Sequence, residues 1–263
     1  FMAKDMGQEY VNQTEMKKLF TGILIFLFIQ SMGQDKIPSP KDYLGYAPGQ
    51  DFTPHHRIVD YFEMLAESDA RTRLIPYGET YEGRSLITLV ISSEENLKNL
   101  EAIRLNHLRK TGLLEGEAEK DGKVVVWLSY GVHGNESSSS EAAMVTAHTL
   151  LMGDTPVKEE WLDGLIIIMD PCINPDGRER YVNWYRENKS VFLNTKRLDV
   201  QHQEPWPGGR MNHYLFDLNR DWAWATQKET RDRLELYNRW MPQIHVDYHE
   251  QGIDNPYYFA PAA

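Results

Sequence analysis

Residues 124–136 read VVVWLSYGVHGNE, and the change of character along this stretch decides the fold. Lys123–Tyr130 is a β-branched, apolar run without polar alternation, the pattern of a strand covered on both faces. His133 and Glu136 follow directly, and Ser137–Met152 then reads as a helix opened by serines of the capping type. Strand, polar turn and helix make up the repeating unit of an α/β sheet, whose functional groups collect beyond the carboxyl ends of the strands.

Outward from this stretch the same alternation continues. On the amino-terminal side the pattern predicts a helix over His55–Ser68 and strands over Arg71–Tyr77 and Ser85–Ser92. The spacing of Leu97, Leu100, Ile103 and Leu108 predicts a helix over Glu94–Leu114. On the other side come a strand over Gly164–Asp170 and a long polar and aromatic loop region over Arg178–Phe216. A helix over Thr226–Trp240 and a strand over Gln243–Tyr248 close the series. The expected class is α/β, a helix–sheet–helix sandwich around a mixed, largely parallel sheet.

The second predicted strand end to carry chemistry lies in HVDYHEQG, residues 245–252. His133, Glu136 and His249 make a two-histidine, one-carboxylate set with a short and a long spacer. Zinc in hydrolytic sites is usually held by three protein ligands, leaving a fourth position for water. Bound zinc lowers the pKa of that water and polarises a carbonyl. HGNE alone is weak, since a polar loop after a strand matches HxxE by chance; its place after a buried strand strengthens it. His245 shares a face with Asp247 and His249 by the strand period of two, so it is a rival ligand. His249 is preferred because it lies at the strand's carboxyl end.

Other chemistries find less support. SSSS at 137–140 sits in no GxSxG elbow, HExxH is absent, and no GxxxxGK[ST] phosphate loop occurs. His55 and His56 point in different directions on a helix, and a surface role is expected for them.

Four further segments, taken with HGNE, resemble the zinc carboxypeptidase family, the carboxypeptidase A-like metallopeptidases. YGETYEGRSL (77–86) is similar to the family's early hairpin, and NPDG (174–177) to its turn after a central strand. DLNRDW (217–222) is similar to its Asn-Arg pair, and HVDYHEQG to the segment with its third metal ligand. The resemblance runs in family order from about residue 70 to 263. It implies one zinc ion on His133, Glu136 and His249, and a grip by Asn219 and Arg220 on the terminal carboxylate of a peptide or protein substrate. It also implies a second arginine that polarises the scissile carbonyl; Arg210 is the first choice and Arg186 the second. Asn135 departs from the pancreatic branch, which has arginine beside the zinc glutamate.

In the family the general base is a glutamate on a strand well beyond the third ligand, whereas 14 residues follow His249 here. The expectation is an amino-terminal fragment, with residues 34–263 an incomplete catalytic domain that is inactive by itself. Residues 16–33, MKKLFTGILIFLFIQSMG, read as a secretory signal peptide, and residues 1–15 as an upstream extension. A secreted or periplasmic location without stable membrane association after cleavage follows. A formal charge of −11 and the lack of a basic stripe argue against nucleic-acid binding. Cys172 is the sole cysteine and is expected to be a small buried residue. The competing functions are a deacylase or cell-wall peptide amidase on the same scaffold, and a non-catalytic peptide-binding domain.

Overall fold

The computed structural model describes residues 37–153, 158–192 and 194–252. The signal peptide and upstream extension expected over residues 1–33 lie outside them. Five strands form one sheet: β1 (Thr72–Glu79), β2 (Ser85–Ile91), β3 (Val124–Tyr130), β4 (Leu165–Asp170) and β5 (Ile244–Tyr248), in spatial order β1-β2-β4-β3-β5. β2 runs antiparallel to both β1 and β4, while β3 is parallel to β4 and β5, so only β2 opposes the common direction. This is the mixed, largely parallel sheet expected from the sequence. At the β5 edge Ile244 is half-exposed.

Helices cover the faces. α1 (Pro40–Leu44) and α2 (His55–Ser68) precede the sheet; α3 (Glu94–Lys98) and α4 (Leu100–Lys110) follow β2; α5 (Ser138–Met152) and α6 (Lys158–Gly164) link β3 to β4. α7 (Pro175–Asn188) and α8 (Lys228–Trp240) lie between β4 and β5. Alternation along the strands sends Val90, Val125, Trp127, Ile166 and Ile168 to one face, where Leu97, Leu100, Leu236 and Trp240 from α3, α4 and α8 complete a buried cluster. Ile58, Phe62 and Leu65 of α2 and Met144 and Ala147 of α5 are fully buried on the other side.

Three local expectations need correction. The helix predicted over Glu94–Leu114 is two helices broken at Asn99, whose φ of −104° and ψ of 15° leave the helical path. Asn96 anchors the first of the two, its side-chain amide lying within hydrogen-bond distance of Ser92 Oγ and of the carbonyls of Leu162 and Asp163. The loop region predicted over Arg178–Phe216 begins inside α7. NPDG is a helix start as well as a turn: the Asn174 side chain accepts from Gly177 N at 3.0 Å and Pro175 takes the first helical position. His55 is buried, bonded through Nε2 to the Ser85 carbonyl at 2.8 Å, and burial lowers its pKa to about 4. His56 is exposed as expected, and Cys172 is buried.

One buried ion pair ties the start of α5 to α7. Arg178 donates to Glu141 Oε1 at 2.6 Å, to Ser137 O at 3.0 Å and to Thr53 O at 2.9 Å. Glu141 also accepts from the Thr53 amide and hydroxyl, so nearly every polar atom of the pair is satisfied. Breaking such a pair strands a buried charge. Arg178→Ala is expected to lower unfolding free energy by about 3–5 kcal/mol, measured by urea titration of the full-length protein.

Candidate metal centre

The pairing of β3 with β5 puts Tyr130 opposite Tyr248, with the two rings stacked at 4.2 Å and 3°. Both strands therefore end side by side. The chain leaves β3 through Gly131, whose φ of +66° is the left-handed conformation that favours glycine. His133 and Glu136 follow, and β5 delivers His249 one residue after Tyr248. The imidazole centroids of His133 and His249 lie 5.0 Å apart. His133 Nδ1 is 2.8 Å from Glu136 Oε1, and His249 Nδ1 is 3.1 Å from Glu136 Oε2. Ligand-type atoms of all three residues lie within 4.8 Å of one another.

Behind each imidazole stands an aspartate. His133 Nε2 donates to Asp217 Oδ1 at 3.2 Å, and His249 Nε2 to Asp247 Oδ2 at 3.1 Å. Carboxylates in these positions fix the tautomer that leaves Nδ1 free to ligate, the usual outer support of a metal-bound histidine. The donor chemistry fits zinc: two imidazole nitrogens and one carboxylate turned toward a common region. Burial would raise the pKa of Glu136, but hydrogen bonds from His133, His249 and the Glu250 amide bring it down to about 2. Hydrogen bonds to Asp247 and Glu136 push His249 up to about 10. The anions that hold a proton on His249 also favour a divalent cation in its place, with release of that proton.

His245 stays outside this group. Its Nε2 lies 3.1 Å from Ser129 Oγ, its Nδ1 is 3.4 Å from the Tyr237 hydroxyl, and its ring packs against Trp222. Glu250 is also committed elsewhere. Its carboxylate accepts from Ser138 N and Ser138 Oγ at the start of α5, and its amide donates to Glu136 Oε2 at 3.0 Å. The N-terminus expected to be capped by its own serine is thus capped by the strand that carries His249; Ser137 makes no side-chain cap bond.

Arg210 reaches the group from the long loop. Its Nη1 is 3.4 Å from His133 Nδ1 and 4.0 Å from Glu136 Oε1, while Nε and Nη2 donate to Asp217 Oδ2 at 3.1 and 2.9 Å. Arg186, the second choice, lies at the far end of α7 beside Asp51. Asp217, which the sequence reading did not single out, joins His133 and Arg210 and also accepts from Asn219 N at 3.0 Å. It caps the short 3-10 turn Leu218–Arg220. Arg220 is exposed and has no carboxylate partner among the described residues. The signal for Asp217 and Asp247 was present: each lies two residues from a residue already chosen.

Backbone contact sets the reach of the Arg210 loop. Gly134 of HGNE, Gly177 of NPDG and Gly209 beside Arg210 meet with no room for side chains. A Cβ on Gly134 would come within 2.6 Å of Gly209 O, and one on Gly209 within 2.5 Å of Gly177 O. A second group with metal-ligand residues, Glu82, Asp176 and His213, differs in kind. Arg84 already bridges it, 2.5 Å from Glu82 and 2.6 Å from Asp176, tying the β1–β2 turn to α7.

The sequence profile of the zinc carboxypeptidase family matches residues 58–240, a span that includes His133, Glu136, Arg210, Asn219 and Arg220 and stops short of His249. A probable carboxypeptidase 2 of Arthroderma benhamiae is 31% identical over 132 residues, covering 49% of this chain and 19% of that protein. Carboxypeptidase 2 of Trichophyton rubrum gives the same identity and coverage. The chain therefore spans about one fifth of the length of these relatives. Among solved structures, carboxypeptidase A of Helicoverpa armigera aligns with a TM-score of 0.48 at 15% identity, covering 76% of this chain and 46% of that one. A family profile matched over well more than half of its residues shows that the chain belongs to the zinc carboxypeptidase family.

Proposed function

We propose that the protein is a zinc metallocarboxypeptidase that releases carboxy-terminal residues from peptides, with His133, Glu136 and His249 holding the metal. The observation that carries this reading is the convergence of these three side chains, each imidazole backed by an aspartate. Zinc, when bound, supplies a Lewis acid and a water of lowered pKa. Asp217 and Asp247 keep the two histidines oriented. Arg210 presents N–H groups at the edge of the group, where they can donate to a carbonyl oxygen as it gains negative charge. Arg220, exposed and without an acidic partner among the described residues, receives the substrate's terminal carboxylate together with Asn219; a planar guanidinium suits two parallel hydrogen bonds.

Glu250 is tied to the start of α5 through Ser138, so we assign the proton transfer of this chemistry to a carboxylate other than Glu250. The stretch at 16–33 supports export to the periplasm or the medium. Among the described residues no helix is long and apolar enough to cross a membrane.

Metal analysis of purified full-length protein tests the ligand set. His249→Ala is expected to lose stoichiometric zinc and His245→Ala to keep it; the reverse result identifies the rival histidine as the ligand. Peptide assays test the carboxylate grip. Arg220→Ala is expected to lower kcat/KM on free-acid peptides by about 10²-fold, the scale of lost charge-assisted hydrogen bonds, and amidated peptides are expected to be poor substrates of the wild type. Equal turnover of acid and amide favours the deacylase or amidase instead. Glu250→Gln keeps an acceptor for Ser138 and is expected to retain activity within about threefold, whereas a loss of about 10²–10⁴-fold identifies Glu250 as the base.

A further inference from the structure

A cleft beside the candidate metal centre is lined by Asn135, Glu204, Trp206, Arg210, Met211 and Leu215. It shares Arg210 with the centre, and Asn135 adjoins Glu136, whereas Asn219 and Arg220 do not line it. If those two hold the departing residue, the cleft lies on the acyl side of the scissile bond.

The two charged residues of the cleft are in different electrostatic conditions. Arg210 directs two N–H groups at Asp217, so its charge is matched. Glu204 is held by neutral donors, Asn135 Nδ2 at 2.8 Å and the Gly209 amide, and no cation pairs with it among the described residues. A carboxylate offers about four lone-pair directions, so two hydrogen bonds leave acceptor capacity unused. Beside it stands Trp206, 83% exposed, whose indole is the aromatic face that attracts cations most strongly. Its neighbours Pro205 and Pro207 also line the cleft. An unmatched anion next to an open aromatic wall is a receptor for an ammonium or guanidinium group.

We propose that this cleft is a specificity subsite for a cationic group on the acyl side of the scissile bond, with Glu204 as counter-ion and Trp206 as wall. The proposal rests on the carboxypeptidase reading above. It names the substrate class as peptides with lysine, arginine or a free amino group just before the residue released.

The test compares kcat/KM of the full-length enzyme on free-acid peptides that share one terminal residue and differ at the preceding position. Amino-blocked peptides with Lys, Gln or Glu there give the charge preference, and an unblocked neutral peptide separates a chain-terminal ammonium from a side chain. The wild type is expected to favour Lys, or the unblocked peptide, over the blocked Gln peptide by roughly tenfold or more, as for a hydrogen bond to a charged group. Glu204→Gln is expected to bring that ratio to about one, Glu204→Lys to invert it toward Glu, and Trp206→Ala to reduce it, each ratio being independent of overall turnover. Turnover of all free-acid peptides without charge preference overturns the subsite and leaves the carboxypeptidase reading standing. Lack of turnover on every one of them overturns both.

Discussion

The candidate centre depends on one alignment, the parallel pairing that places Tyr130 of β3 opposite Tyr248 of β5. A register slip of one residue turns every side chain of a strand to the other face. Such a slip would carry His249 away from His133 and bring the wrong face of the strand to Glu136. Several contacts hold the register: the stacked tyrosines, the Glu250 carboxylate on Ser138, and the Glu250 amide on Glu136. The last two link the end of β5 directly to the segment that follows β3. The strand that delivers one histidine thus also caps the helix that follows the other.

Charge around the centre is distributed with a consistent logic. Glu136, Asp217 and Asp247 surround two imidazoles, and Arg210 is the cation that reaches them from solvent. Arg233 of α8 is fully buried, 3.8 Å from the Trp222 ring, with Asp170 and Asp247 among the anions that favour its charge. Asp217 does more than orient an imidazole. Asp217 binds His133, Arg210 and the Asn219 amide at once, so any movement of the Asn-Arg turn is transmitted to the histidine and to the arginine.

The sheet was legible because its strands are short apolar runs between turn residues, and the predicted boundaries of β2, β3, β4 and β5 fall within one residue of those observed. His133, Glu136 and His249 stood out for the same reason: they lie where strands end. What was illegible depends on contacts distant in sequence. Nothing local marks Asn96 as the anchor of α3, since its carbonyl partners Leu162 and Asp163 are more than sixty residues away. The capping of α5 by Glu250 spans 112 residues. His55 has the local sequence of a surface residue but is buried, its Nε2 bonded to the Ser85 carbonyl 30 residues on.

The placement of Arg210 shows how such distant contacts nevertheless leave a trace. In sequence, HGNE, NPDG and PGGR are three separate glycine-bearing turns, and only the first carries candidate ligands. In space their glycines touch backbone to backbone. A side chain at Gly134, Gly177 or Gly209 would have to force these backbones apart, and the loop that carries Arg210 would shift with them. Because Gly209 precedes Arg210 directly, that separation passes to the guanidinium, which now sits within 4.0 Å of Glu136. Polarising a carbonyl requires a donor placed to within a few tenths of an ångström. The glycines take no part in the chemistry, yet they fix the distance on which the role proposed for Arg210 depends.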